Sequence, residues 1–340
     1  MLEGSPLVLP LGAGRVVVRR PAVGDEDALV RLFISPEVRR YLGGGLEVGV
    51  ARKRAERMTA VPSGDFVIVS AMDGAVLGSG DVRRKRGPWE FSYQLLPQFW
   101  GRGLASDAVR AVVVAFHAVK PDDVLIAVTQ DGNHRSRALL EGLGAVPDGT
   151  FEEYGAAQRR YVLRRGDVSA ADAGRSGHPP VTVRLATSSD VDAAGELTEQ
   201  VYRVGGWAGE AYARELRDAR TRMRQALLYV AVLDRQVVGT VTLALPGTRL
   251  AEIARDHESE VRMLAVAEHV RGRGVGTLLL AVCEARSREA GLTGVVLSTE
   301  TDMHAAHRLY HRRGYRRAYE RDWRVADFDM LVYHRPIPSR

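Results

Sequence analysis

The sequence has one cysteine, Cys283, in 340 residues, which excludes an internal disulfide and is typical of a reducing compartment. It contains no uncharged apolar run of about 18 residues. Its first segment has neither a basic start nor a long apolar stretch. We therefore expect neither a membrane span nor a secretory signal, and we expect a cytoplasmic protein.

Lysine is scarce, since it occurs only at Lys53, Lys85 and Lys120 although Lys and Arg together number 48, against 42 Asp and Glu. Arginine thus carries the basic charge, and its guanidinium suits phosphate and carboxylate groups. The arginines are spread along the chain without a block of about five like charges, which favours solvated surfaces over a nucleic-acid interface. We expect no nucleic-acid partner.

The length is about twice that of a typical domain of roughly 100–200 residues. A hydrophobic content of 45%, a charged content of 26% and 35 Gly against 14 Pro exclude collagen-like, coiled-coil and mostly disordered chains. Residues 166–180 are small and polar and end in two prolines. We therefore predict an N-terminal domain over residues 1–165, a linker over residues 166–180 and a C-terminal domain over residues 181–340.

The two halves repeat the same motifs in the same order and at nearly the same spacing, which indicates a duplicated domain. Each half predicts a strand, a helix, a hairpin, a strand, a Gly-rich loop, an amphipathic helix, a strand and a further helix, which is an α/β (α+β) fold in two copies. The matched motifs are Arg20-Pro-Ala22 with Glu26 and Arg184-Leu-Ala186 with Asp190, Gly101–Ala105 and Gly272–Gly276, and Leu143-Gly144 and Arg313-Gly314.

Each Gly-rich loop lies between a predicted strand and a predicted helix. In this context, successive backbone N–H groups and a helix N-terminus can bind a phosphate, and glycines let the backbone approach it closely. The spacing fits neither the dinucleotide-binding G-x-G-x-x-G unit nor the P-loop, because the acidic residue of the first and the Lys-Ser/Thr of the second are missing.

Arg271-x-x-Gly274-x-Gly276 resembles the acetyl-CoA pyrophosphate loop of the Gcn5-related N-acetyltransferases (GNAT). Residues 97–106 resemble the branch of that family that acetylates ribosomal-protein N-termini, although Trp100 stands where the general motif has Gln or Arg. The resemblance implies two tandem GNAT domains, each a mixed, mainly antiparallel twisted sheet flanked by helices. It also implies acetyl-CoA or another acyl-CoA as the acyl donor, and no metal.

By this resemblance, the loop, the start of the following helix and the end of the preceding strand bind the cofactor in each half. The implied residues are Leu95, Leu96, Trp100, Gly101, Arg102, Gly103, Leu104, Ala105 and Ser106 in the first half, and Leu264, Ala265, Val266, Arg271, Gly272, Arg273, Gly274, Val275, Gly276 and Thr277 in the second.

Acetyl transfer to an amine needs a neutral amine, stabilisation of the oxyanion and a proton for the departing thiolate. Residues 306–315 resemble the family segment whose tyrosine protonates the thiolate, which is Tyr310 here, although Met303 replaces the family asparagine. The placement of Glu260 resembles that of the family general base, with Glu258 and Glu252 as rivals. Backbone N–H groups near Leu264 and Ala265 would stabilise the oxyanion if the strand splays as it does in the family.

In the first half, the corresponding segment has Asn133 and Ser136, which can hydrogen-bond a bound CoA, but it has Leu140 at the tyrosine position. Leucine cannot donate a proton. We therefore expect the first domain to bind acetyl-CoA in a structural role and the second domain to catalyse.

The expected acceptor is a small-molecule amine, with Trp207, Tyr212 and Trp323 as candidate pocket residues. Two-domain members of this size include the mycothiol synthase group and a group from clavulanic-acid-type gene clusters, so antibiotic or other secondary metabolism is one expected setting. Two alternatives stay open: a protein N-terminal or ribosomal acetyltransferase, and a non-catalytic acyl-CoA-binding regulatory module. The oligomeric state, monomer or dimer, also stays open.

Three histidines, His304, His307 and His311, share a helix face, but no accompanying motif favours a metal site.

Overall fold

The structure is a computed structural model that describes residues 5–61, 63–84, 87–167, 181–325 and 328–337. The chain divides into two compact units, Met1–Thr182 and Val183–Arg340. Most of the predicted linker, from residue 168 to residue 180, lies outside the described residues.

In the first unit, a mixed sheet is flanked by helices. The strands follow the order β1-β2-β3-β4-β5-β6-β8-β7, and the neighbours pair antiparallel except β5 and β6, which are parallel. The described elements are β1 (Leu11–Ala13), β2 (Val16–Arg19), α1 (Glu26–Ile34), α2 (Val48–Ala60), β3 (Asp65–Ser70), β4 (Val76–Arg83), β5 (Trp89–Leu95), a 3-10 helix (Pro97–Phe99), α3 (Leu104–Val119), β6 (Leu125–Gln130), α4 (His134–Gly142), β7 (Val146–Glu153) and β8 (Ala156–Leu163).

The second unit repeats this plan. Its strands follow the order β14-β16-β13-β12-β11-β10-β9, β15 also pairs with β16, and the parallel pair is β12 with β13. The described elements are β9 (Thr182–Leu185), a 3-10 helix (Ser188–Asp190), α5 (Val191–Val204), α6 (Glu210–Arg217), α7 (Ala219–Gln225), β10 (Leu227–Leu233), β11 (Gln236–Ala244), β12 (Glu258–Val266), a 3-10 helix (Glu268–Val270), α8 (Val275–Glu289), β13 (Gly294–Glu300), α9 (His304–Arg312), β14 (Arg316–Arg317), a 3-10 helix (Tyr319–Arg321), β15 (Trp323–Val325) and β16 (Phe328–Pro336).

The hydrophobic core of each unit lies between its sheet and its helices. In the first unit, the apolar face of α3 packs on the β-branched residues of β2 and β3, such as Val16, Val18 and Ile68. β-Branched side chains suit the pleated surface of a sheet, and the apolar stripe of α3 covers them. The predicted α/β class with two mainly antiparallel sheets is confirmed. The closing hairpins β7–β8 and β14–β16 and the helices α2, α6 and α7 were not predicted.

A buried arginine–aspartate pair marks the start of both units. Arg19 donates to both carboxylate oxygens of Asp25 at 2.7 and 2.8 Å, and Arg184 donates to both oxygens of Asp190 at 2.7 and 2.9 Å. The predicted match of Arg20 and Glu26 with the second pair was therefore wrong by one residue. Arg19 and Arg20 are adjacent, and so are Asp25 and Glu26, so the sequence contains the same arginine-to-acid spacing twice. Side chains alternate along the strand, which turns Arg19 inward and Arg20 outward.

Substitution of Asp190 by Asn tests how much the pair of Arg184 and Asp190 contributes to the free energy of unfolding. Arg184 would keep its charge in a nearly buried position without a carboxylate partner, so we expect the free energy of unfolding to fall by about 3–5 kcal/mol. Chemical denaturation followed by circular dichroism measures the change. Asp192→Asn is the matched control, because Asp192 is exposed and lies 4.0 Å from Arg220, and it should change stability by less than about 0.5 kcal/mol. Equal effects of the two substitutions would contradict the prediction.

Candidate active site

The two parallel strands of each unit pair at one end and then diverge. In the second unit, residues 258–261 of β12 pair with residues 294–297 of β13, and the later residues of β12 have no partner on β13. In the first unit, residues 89–90 of β5 pair with residues 125–126 of β6, and the remainder of β5 is unpaired on that side. Each unit therefore offers a row of backbone N–H and C=O groups to a ligand that enters between the strands.

A β-bulge interrupts β12 inside this divergence. Thr240 of β11 lies opposite Ala265 and Thr242 lies opposite Arg262, so one residue of β11 faces two residues of β12. Met263, in the bulge, has φ +53°, which is unusual for a residue other than glycine. Such a bulge re-aims the local backbone, and it lies next to the N–H groups that were predicted to stabilise the oxyanion.

β5 of the first unit has no such bulge. Its register with β4 runs without interruption from Leu95 opposite Gly78 to Glu90 opposite Arg83. No described residue of β5 has a positive φ. The two units therefore share the diverging strands but differ in the backbone at the predicted reaction centre.

The Gly-rich loops have the geometry of an anion site. Gly101, Gly103, Gly272 and Gly274 have φ between +72° and +79°, a conformation that favours glycine. Gly103 and Gly274 cap α3 and α8, and neither helix start receives a side-chain cap. A Cβ on Gly272 or Gly274 would meet nothing within 4 Å, so the space above the second loop is open. The uncapped N–H groups fit the diphosphate of an acyl-CoA.

Trp100 and Arg271 occupy equivalent positions and make the same contact. The Trp100 indole Nε1–H donates to the Leu95 carbonyl at 2.8 Å, and Arg271 Nε–H donates to the Val266 carbonyl at 3.4 Å. Each side chain thus ties its loop to the end of the strand that precedes it. Trp100, which departs from the family motif, keeps this contact, and Arg135 lies over its ring at 4.8 Å.

Tyr310 lies on α9 and is buried, with its ring centroid 5.9 Å from Tyr315 and 5.7 Å from Tyr333. Its hydroxyl makes no hydrogen bond to the residues that the structure describes. Burial, followed by the Tyr333 hydroxyl, raises the pKa of Tyr310, so the phenol keeps its proton at neutral pH. Its role as the proton donor stays a prediction.

Gly276 brings α9 close to the loop and to β12. A Cβ at this position would lie 2.9 Å from Leu309 Cδ2 and within 4.0 Å of side-chain atoms of Val266 and Leu264. The start of α8, the end of β12 and the helix that carries Tyr310 therefore converge at one point. The structure thus brings together the loop, strand-end and helix residues that were predicted for the second half.

The three candidate bases lie in different environments. The Glu260 carboxylate accepts hydrogen bonds from the amides of residues 252–254 at 2.7–3.3 Å, and burial raises its pKa. Glu258 forms an ion pair with Arg321 at 2.7 Å, and Glu252 pairs with Arg262 at 2.5 Å. Glu260 is thus the anchor of a loop, and its role as general base stays a prediction.

An aromatic group lies on the helical side of the second unit. The Tyr202 ring is 6.1 Å from Trp207 and 6.2 Å from Tyr212, and Trp207 Nε1–H donates to Asp302 at 3.0 Å. Burial, then Tyr212 and Tyr310, raises the pKa of Tyr202. We call Tyr202, Trp207 and Tyr212 the aromatic wall. Tyr202 was not predicted, although the apolar stripe of α5 could have indicated it.

Trp323, the third predicted pocket aromatic, lies elsewhere. It packs against the small cluster of Val296, Ala318 and Val332. It is therefore not part of the aromatic wall.

In the first unit, Asn133 and Ser136 lie at the start of α4. Asn133 Oδ1 accepts the Ser136 amide at 3.2 Å, and the Ser136 hydroxyl lies 3.1 Å from the Tyr93 hydroxyl of β5. Leu140 is buried at the position that corresponds to Tyr310. The segment thus bridges the diverging strands but has no proton donor at that position.

The histidines of α9 have partners of their own. His307 Nε2 lies 2.9 Å from the Glu300 carbonyl, and the rings of His307 and His311 pack on Tyr333. Among the described residues, no group of His, Cys, Asp and Glu is arranged to hold a metal ion. Within the same part of the chain, no helix is both long enough and apolar enough to span a membrane.

Comparison with known proteins matches both halves. Residues 15–146 match a family model described as acetyltransferase (GNAT) domain, and residues 196–315 match one described as acetyltransferase (GNAT) family. The chain is 30% identical over 155 residues to aminoalkylphosphonate N-acetyltransferase of Salmonella typhimurium. The aligned region covers 42% of this chain and 90% of that protein.

Similar solved structures include a GNAT-family acetyltransferase from Bacillus anthracis, with 18% identity, TM-score 0.43, and coverage of 46% of this chain and 98% of that chain. A GCN5-related N-acetyltransferase from Brucella melitensis has 15% identity, TM-score 0.42, and coverage of 48% of this chain and 83% of that chain.

The site and the family matches define an N-acetyltransferase. The chain belongs to the GNAT superfamily, whose members generally use acetyl-CoA, and it carries two GNAT domains.

Substitution of Met263 tests the backbone of the bulge. A β-branched side chain is poorly accommodated at φ +53°, so Met263→Val should lower the free energy of unfolding by about 2 kcal/mol more than Met263→Leu. Leucine is the matched control because it keeps most of the buried volume without branching at Cβ. Denaturant unfolding of both variants measures the difference, and equal stabilities would show that the bulge imposes no such constraint.

Proposed function

We propose that the chain transfers an acetyl group from acetyl-CoA to the amine of a small molecule. We further propose that residues 181–340 catalyse the transfer and that residues 1–165 bind acetyl-CoA without transferring its acetyl group. The observation that carries this proposal is the bulge at Met263 close to the helix of Tyr310, two features that the first unit replaces with a regular strand and Leu140. The similarity to an aminoalkylphosphonate N-acetyltransferase supports a small amine as the acceptor, because an aminoalkylphosphonate is a small amine.

Acetyl-CoA would supply an acetyl group that is activated as a thioester. The N–H groups of residues 271–277 would hold its diphosphate, and the unpaired edge of residues 264–266 would bind its amide-containing arm. Residues 95–106, with Asn133 and Ser136, would make the corresponding contacts in the first domain.

The protein groups then have separate tasks. The amides of Leu264 and Ala265, next to the bulge, would stabilise negative charge on the reacting carbonyl oxygen. Tyr310 would give its phenolic proton to the departing sulfur, whose thiol has an ordinary pKa of about 8.5. Because burial raises the pKa of Tyr310, the phenol is protonated when the sulfur leaves.

Tyr310→Phe tests the proton donor. The substitution removes a hydroxyl without a hydrogen-bond partner in the described residues, so the fold should be retained, while kcat should fall by about 100-fold. Release of the CoA thiol, measured with a panel of small amines, gives the rate. Tyr315→Phe is the matched control, because the Tyr315 hydroxyl is buried without a hydrogen-bond partner among the described residues and should be dispensable. Full activity of Tyr310→Phe would refute the assignment.

Native mass spectrometry with acetyl-CoA tests the two binding sites. We expect two bound molecules on the unsubstituted chain, and one on either Gly103→Asp or Gly274→Asp, because the new carboxylate repels the diphosphate and strains the loop. Gly247→Asp is the control, since Gly247 has the similar φ of +78° outside both loops and should leave two molecules bound. Gly103→Asp should also retain the transferase activity that Gly274→Asp loses. One molecule on the unsubstituted chain would contradict the two-site arrangement.

A further inference from the structure

Glu300, the last residue of β13, lies on the same face of the sheet as Glu260 and Arg262. Glu260 pairs in register with Val296 of the parallel strand β13, and side chains alternate along a strand, so Val296 and Glu300 share that face. β13 stays regular to its end, since Glu300 still pairs with Met330 of β16. Its pairing with β12 has already ended, so Glu300 lies where the strands have diverged.

Glu300 is largely buried, and its carboxylate has no partner among the described residues. The residue is 9% exposed, and its side chain makes no hydrogen bond or ion pair with the described residues. A buried carboxylate in this state is costly, and structures normally supply it with a donor or a cation. Burial, followed by the nearby Asp302, raises the pKa of Glu300 to about 7. The site therefore lacks a hydrogen-bond donor or a positive charge that a ligand could supply.

The surroundings of Glu300 suit an ammonium group. Asp302, two residues further on, accepts the indole N–H of Trp207 and so connects Glu300 to the aromatic wall. Aromatic faces and carboxylates together attract alkylammonium ions. Asp302 is the charged group that acts on the pKa of Glu300. Glu260 and Arg262 share this face of the sheet, where Arg262 pairs with Glu252, and His307 on α9 lies against the Glu300 carbonyl. Negative groups therefore dominate this side of the site.

We propose that Glu300 receives the ammonium group of the acceptor substrate and takes the proton that must leave before the amine can attack. This inference rests on the proposed acetyltransferase function and adds the residue that prepares the acceptor. Glu260 is less suited to the step, because its carboxylate holds the amides of residues 252–254.

The ammonium N–H bond breaks, its proton goes to the Glu300 carboxylate, and the nitrogen lone pair forms the bond to the carbonyl carbon while the carbon–sulfur bond breaks. Tyr310 protonates the sulfur. The second proton lost by nitrogen, on amide formation, restores the Tyr310 phenol through water, and Glu300 returns its proton to solvent. One proton is released per acetyl group transferred.

Glu300→Gln and Glu260→Gln, compared across pH, test the proposal. The assay measures CoA thiol release with phenethylamine and with 2-aminoethylphosphonate as acceptors. We expect kcat/KM of the unsubstituted protein to fall as the pH drops below about 7, where the Glu300 carboxylate becomes protonated. Glu300→Gln should lower kcat/KM by about 100-fold at neutral pH. It should also abolish this fall, which is the acidic limb of the pH profile, and kcat/KM should then rise only with the fraction of free amine. Acetyl-CoA binding should be unchanged.

Two results separate the possible failures. Thiol release with an unchanged pH profile in Glu300→Gln, or loss of the limb in Glu260→Gln alone, would overturn the role of Glu300 and leave the acetyltransferase function standing. Absence of amine-dependent thiol release from the unsubstituted protein with every amine tested would overturn both proposals.

A stability measurement gives a readout that does not need activity. The pKa of Glu300 is higher in the folded protein than in the unfolded chain, so its contribution to stability is present at low pH and is lost as the pH rises through about 7. Between pH 5 and pH 8, the unsubstituted protein should therefore lose stability relative to Glu300→Gln. A constant difference between the two would overturn the proposal, because it would show that Glu300 does not change its charge in that range.

Discussion

The divergence of two parallel strands is the constraint on which the rest of the second domain depends. Residues 258–261 and 294–297 are held together by their ladder, and beyond them the backbone edges of β12 and β13 face a gap. Unpaired backbone groups in a folded protein need another partner, and the gap suits a ligand that offers amides. The bulge, the uncapped start of α8, Tyr310 and Glu300 all lie at its margins.

The two domains share a scaffold and differ at the predicted reaction centre. Both keep the buried arginine–aspartate pair, the left-handed glycines and the contact from Trp100 or Arg271 to the strand end. These features depend on backbone shape and on single strong contacts. The bulge and the tyrosine occur in the second domain alone among the described residues, and neither is needed for the fold of the first. The scaffold of the duplicated domain therefore depends neither on this bulge nor on a tyrosine at this position.

The sequence predicted the features that local chemistry fixes. Hydrophobic periodicity indicated the strands and helices up to α4 and α9 except β1, α2, α6 and α7, and the clustered glycines indicated the loops. The bulge could not be predicted, because methionine has no preference for φ +53° and only the pairing with β11 reveals the extra residue. The choice between Arg19 and Arg20 depended on which of them faces inward. The position of Glu300 beside the site depended on a parallel register between distant strands.

Glu260 and Glu300 share a face of the sheet, and their environments decide which of them can carry a proton. Protonation of Glu260 would weaken its hydrogen bonds to three loop amides, so a proton gained there would disturb the loop that shapes the site. Glu300 has no such partners in the described part of the chain, so its protonation breaks no hydrogen bond to these residues. A group that must change its charge in every turnover is best placed where no loop depends on its hydrogen bonds. Glu260 is therefore suited to hold the loop, and Glu300 is better suited to the proton transfer.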